Sequence, residues 1–257
     1  MRIAVKVGTS TLTHPTGQLN IRRVELLCKT LADLKNAGHE LLLISSGAIG
    51  MGVGKLRLAQ RPQDMATKQA AAAVGQCELM YVYDKLFSEY HHTVAQILVT
   101  AQDIGDEARA VHVQRTLTRL LELGALPIIN ENDTVATDEI KVGDNDTLSA
   151  VVASSVGADL LVLLSDIDGL YTADPRTCAD AVFIECVTEL TPEIMALGAG
   201  AGTSFGTGGM ATKLSAAKIA LENGADMVIA NGSDPRVLYD IVEGNTVGTR
   251  FLAKREA

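Results

Sequence analysis

Apolar residues recur along this chain in two rhythms. Short, nearly unbroken runs such as Ile3-Ala4-Val5-Lys6-Val7 and Leu160 to Leu164 alternate with stretches where apolar positions return every three or four residues. The first rhythm predicts buried strands and the second amphipathic helices. Strands are expected over 3–7, 41–44, 94–99, 126–129, 160–164 and 227–230. A helix capped by Asn20 carries Ile21, Val24, Leu27, Cys28, Leu31 and Leu34 on one face and stops at Gly38. A second runs from Pro62 towards Tyr90, with a break expected near Gly75. Further helices are expected around 113–121, 148–156, 214–221 and 235–242. Strands that are apolar throughout suit a sheet covered on both faces. Their alternation with helices predicts an α/β fold with a mostly parallel sheet and right-handed crossovers.

Composition narrows the function. The chain has 257 residues, enough for a sizeable core, and a net charge of −9. A protein that grips nucleic acid or an anionic membrane through its overall field is basic, and this one is not. With no Trp, five Tyr and four Phe, stacking platforms for single strands are scarce. No apolar run approaches the roughly 18 residues of a membrane helix, and the start lacks the apolar core of a signal peptide. The spacing of Cys28, Cys77, Cys178 and Cys186 matches neither a zinc pattern nor a redox pair. Free thiols in a reducing cytoplasm are expected.

In open parallel sheets, ligands bind beyond the carboxyl ends of strands. Gly8-Thr9-Ser10 follows the first strand, and Ser45-Ser46-Gly47-Ala48 the second, with Gly50, Gly52 and Gly54 just beyond. Asn130-Glu131-Asn132-Asp133 and Ser165-Asp166 follow two others. Residues 198–209 hold six glycines ahead of a helix that begins near Met210. Such loops let backbone N–H groups approach phosphate, although each is also readable as a plain turn. The Walker pattern is absent, because Lys213 lies between Thr212 and Leu214, and the first turn has too few glycines for a dinucleotide fingerprint.

Lys6 is unusual in a buried strand, since an unpaired ammonium is costly to bury. Either the strand lies at an edge, or the side chain aims at an anion beyond it. Lys213 in a first helical turn opposes the helix dipole, and a bound polyphosphate would account for both lysines. Asp144, Asn145 and Asp146 at another helix start exceed what one N-cap needs.

These segments together resemble the glutamate 5-kinases of the amino-acid kinase superfamily, over nearly the whole chain. The resemblance is carried by Lys6 to Ser10, Ser46-Gly47-Ala48, Asn130 to Asp133, Lys141 to Asp146, Gly169 to Arg176, Gly206 to Met210 and Thr212-Lys213. It implies a three-layer α/β/α sandwich forming a single kinase domain over 1–257. Residues 1–157 would hold glutamate and 158–257 ATP, without the C-terminal RNA-modification-like (PUA) module of many relatives. It implies that Ser46, Asp133 and Asn145 contact glutamate, with Asp133 on the α-ammonium and Asn145 helping to orient the α-carboxylate end. Ser165, Asp166, Thr207, Gly208, Gly209, Met210, Ala211, Thr212, Lys213 and Lys6 would contact ATP. Lys6 and Lys213 would stabilise the transferring phosphoryl group, with Asp146 holding them in place. Mg²⁺ would be carried on the ATP phosphates, with no dedicated protein metal site. Proline as a feedback inhibitor and a homo-oligomer follow from the same resemblance.

The chemistry agrees. A side-chain carboxylate with a pKa near 4.3 is ionised at neutral pH and needs no general base. His14, His39, His91, His92 and His112 therefore read as structural or solvated. Another kinase of the superfamily, such as an acetylglutamate kinase, and a non-catalytic amino-acid sensor are the competing readings.

Overall fold

The computed structural model describes residues 1–14, 18–135, 145–199 and 209–254. The first half runs β1 (Arg2–Val7), α1 (Thr9–Leu12), α2 (Ile21–Asn36), β2 (Glu40–Ser45), α3 (Ala48–Lys55), α4 (Met65–Ser88), β3 (Val94–Val99), α5 (Ala101–Gly105), α6 (Glu107–Glu122) and β4 (Leu126–Glu131). The second runs α7 (Asn145–Ser155), β5 (Leu160–Ser165), β6 (Leu170–Tyr171), β7 (Phe183–Ile184), β8 (Cys186–Val187), α8 (Pro192–Ala196), α9 (Met210–Glu222), β9 (Asp226–Asn231), α10 (Val237–Glu243) and β10 (Thr249–Phe251).

Eight strands form one sheet in the order β3-β4-β2-β1-β5-β9-β10-β8. Neighbours pair in parallel except β10 against β9. Alternation along β1 sends Ile3, Val5 and Val7 to a core shared with α2 and α4, and Ala4 to the opposite core shared with α7 and α9. Two apolar cores on one sheet make the α/β/α sandwich that the sequence led us to expect. Asn20 caps α2 by accepting from the Arg23 amide.

Three expectations change. The first strand is central, flanked by β2 and β5, so the edge explanation for Lys6 fails. The Gly50 to Gly54 stretch is neither turn nor phosphate loop but lies inside helix α3. Gly75 does not break α4, which is continuous. Gly52 and Gly75 are where α3 and α4 touch backbone to backbone. A Cβ on Gly75 would land on the Ala48 carbonyl oxygen, and one on Gly52 on that of Ala71. Gly47 enters α3 with φ +97°, a left-handed turn that suits glycine.

Candidate active site

Strand order reverses at β1. β2 and β4 lie on one side of it, β5 and β9 on the other, and such a switch point opens a crevice at the strand carboxyl ends. Lys6 is the penultimate residue of β1 and, by alternation, faces α7 and α9. It is 9% exposed, and its Nζ lies 2.5 Å from Asp146 Oδ1. Asp146, fully buried in the first turn of α7, receives Lys213 Nζ on Oδ2 at 3.0 Å. Lys213 stands in the first turn of α9 and is 5% exposed. The Thr212 hydroxyl shares its one hydrogen between the Gly209 carbonyl at 2.7 Å and the same Oδ2 at 3.0 Å.

Burial pushes the Asp146 carboxyl pKa up, but the adjacent Lys6 and Lys213 charges more than offset this and hold it below the ordinary carboxylate value. Asp146 is therefore ionised, and its side chain binds two cations rather than capping α7. One carboxylate facing two ammonium groups leaves a net positive charge, and each ammonium has N–H bonds left over. Gly8 lies against Lys6, since a Cβ added there would sit in van der Waals contact with Nζ at 3.9 Å. Among the described residues the N-terminus of α9, at Gly209, has no side-chain cap, and such a terminus suits an anion.

Ser165 and Asp166 stand at the carboxyl end of β5, next to β1, with the Ser165 hydroxyl donating to Asp166 Oδ1 at 3.2 Å. Met210, Ala211, Thr212 and Lys213 form the first turn of α9. Thr207 and Gly208 lie outside the described residues, as do Lys141 to Asp144.

A second group gathers beyond β2 and β4. Asn145, which opens α7, does not cap its own helix. Its Nδ2 donates to the Ser45 carbonyl at 3.1 Å, Ser46 Oγ at 2.7 Å and Asn130 Oδ1 at 3.2 Å. Asn130 Nδ2 in turn donates to Gln76 Oε1 at 2.9 Å. Gln76 and Asp133 line one small cavity with Ala48, Ala72, Glu131 and Thr134. Ser46 and Asn145 are thus linked through Asn130 and Gln76 to the cavity that Asp133 lines. Sequence reasoning assigned no role to Gln76 or Asn130. The available signal was a polar residue on the apolar stripe of α4, among Ala72, Leu79 and Tyr83. No histidine belongs to either group of residues. The described cysteines are free thiols.

Among the described residues, no cluster of three or more His, Cys, Asp or Glu is placed to hold a metal ion. No helix there is long and apolar enough to cross a membrane.

This arrangement places the chain in a known class. Residues 1–231 match the amino acid kinase family, and the chain belongs to it. The carbamate kinase of Giardia lamblia bound to AMP-PNP has the same fold, with a TM-score of 0.69 at 16% identity, over 98% of each chain. Within the family the chain sits with the glutamate 5-kinases. It is 53% identical to that of Clostridium perfringens over 99% of this chain and 96% of the relative. It is also 53% identical to that of Moorella thermoacetica, over 98% of this chain and 67% of the relative.

Proposed function

We propose that the protein transfers the γ-phosphoryl group of ATP to the side-chain carboxylate of L-glutamate, giving L-glutamyl 5-phosphate and ADP. This would be the opening step of proline biosynthesis. The observation that carries the reading is the Lys6–Asp146–Lys213 cluster at the switch point, in a chain half identical to glutamate 5-kinases.

In the proposed reaction a carboxylate oxygen attacks the γ-phosphorus, and the bond from phosphorus to the bridging oxygen breaks as ADP leaves. The nucleophile is already an anion, so no proton has to be removed. The obstacle is bringing two anions together, and positioning with positive charge is then nearly the whole task. Lys6 and Lys213 meet the charge that develops on the phosphoryl oxygens. Asp146 keeps the two ammonium groups side by side, and Thr212 orients Asp146. The amides at the start of α9 hold the phosphates, with Ser165 and Asp166 bounding the nucleotide side. Asp146 has both oxygens engaged by cations, which fits an Mg²⁺ held mainly through the nucleotide phosphates. Mg²⁺, when bound, supplies further charge neutralisation. Proline inhibition at the amino-acid pocket, self-association and a cytoplasmic location belong to the same proposal. Proline competition against glutamate tests the first of these.

The test is ADP release with Mg-ATP and glutamate, run in parallel with acetylglutamate. Turnover of glutamate and little of acetylglutamate is expected. Lys213→Ala should lower kcat by about 10²–10³, the typical cost of losing one preorganised donor. ATP consumption that ignores glutamate, or that equally accepts acetylglutamate, would reject the reading.

A further inference from the structure

We infer that Gln76 selects the substrate by donating to its α-carboxylate, from an amide chain whose polarity is fixed by the main chain. The inference rests on the amino-acid substrate proposed above.

The orientation of each amide follows from one certain donor or acceptor. The Glu131 backbone N–H can only donate, and it donates to Asn130 Oδ1 at 2.9 Å. Asn130 Nδ2 therefore faces Gln76 and donates to its Oε1. This turns Gln76 Nε2 the other way, and that atom is buried with no partner among the described residues. In the other direction, the Ser45 carbonyl can only accept, so the atom of Asn145 facing it is Nδ2. Asn145 Oδ1 is thereby left buried with no partner among the described residues. Side-chain amides are otherwise ambiguous in orientation, but a network tied to backbone groups at both ends removes the ambiguity.

The chain thus ends in two unmet groups of opposite kind, separated by a single asparagine. Gln76 offers N–H donors and Asn145 an acceptor. Gln76 is 7% exposed and lines the cavity it shares with Asp133. A buried donor without a partner is costly, and a site that keeps one is shaped for a ligand that supplies the acceptor. The head group of an α-amino acid supplies both complements, a carboxylate oxygen for Gln76 and an ammonium N–H for Asn145. The two donor hydrogens of Asn145 are already committed within the protein. Its available atom therefore suits the ammonium, in place of the carboxylate role expected from the sequence. Selectivity for the α-carboxylate then falls to Gln76.

Gln76→Glu is the decisive variant. It keeps an oxygen for Asn130 and replaces the donor with a second acceptor. The measurements are kcat/KM for glutamate and for glutarate, which lacks the ammonium, and Ki for 4-aminobutyrate, which lacks the α-carboxylate. The variant should lose about 10- to 100-fold in kcat/KM for both dicarboxylates, the factor expected of a hydrogen bond to a charged group. The Ki of 4-aminobutyrate and the KM for ATP should stay within about 2-fold of wild type by the same reasoning. If Gln76→Glu does not fold, Gln76→Met serves, with a loss again expected for both dicarboxylates and not for 4-aminobutyrate. An equal loss for all three compounds, or none, overturns the inference while wild-type glutamate turnover stands. Wild-type protein that fails to turn over glutamate overturns the proposed function instead.

Discussion

Asp146 shows how much a single carboxylate can organise. Its depressed pKa means that the native protein keeps this charge at pH values where an unfolded chain takes up a proton. A group of this sign contributes its full stabilisation above the ordinary carboxylate value near 3.9 and loses it as pH falls through the lower native value. Asp146→Asn should cost about 3–5 kcal/mol at pH 7, the usual penalty for breaking a buried ion pair from one side. The variant should also show a shallower loss of stability below about pH 4, because one proton-linked site is gone. Urea unfolding at a series of pH values measures both, and a variant with wild-type slope would contradict the assignment. The sequence showed that Lys6 and Lys213 were out of place in their elements, and the resemblance linked them to Asp146. It could not show that Asn145 is held by the Ser45 carbonyl, because that bond joins residues 100 apart in the chain and depends on packing between β2 and α7. Gln76 drew no role because one polar side chain on a long helix is commonplace until its environment is known.

At the scale of elements, α3 is the instructive case. Gly50, Gly52 and Gly54 lower intrinsic helix propensity by about 1 kcal/mol each relative to alanine, so the segment reads as a turn. Tertiary contact reverses that preference. Only residues without a side chain let α3 and α4 meet backbone to backbone, and this contact sets Gln76, directly after Gly75, beside the start of α3. Gly75→Ala and Gly52→Ala should each destabilise by about 3 kcal/mol or more, since the obstacle is main chain that cannot swing away. Gly105→Ala is the control. Nothing lies within 4 Å of its added carbon, so its stability should be unchanged or slightly higher. Thermal unfolding of the three variants provides the check. Helices with regular apolar stripes, such as α2, were legible with their caps. The short strands β6, β7, β8 and β10 were not, because two or three residues carry no period.

Across the whole molecule, the alternation of buried strands and helices was enough to announce a layered sheet, because covering both faces makes runs such as Leu160 to Leu164 apolar throughout. Strand order was not legible, and with it went the central place of β1. That place has a consequence for how the protein is made. Lys6 is synthesised well before its partners, for the carboxylate that compensates it arrives 140 positions later and Lys213 later still. At about 5–20 residues per second, the nascent chain waits on the order of 7–30 s for Asp146. Until then the middle strand of the future sheet carries a charge it cannot bury at low cost. Stalled ribosomal complexes ending before α7 should leave β1 open to protease, and complexes extending past α9 should protect it. Early protection would mean that the strand finds another way to shelter its lysine during synthesis.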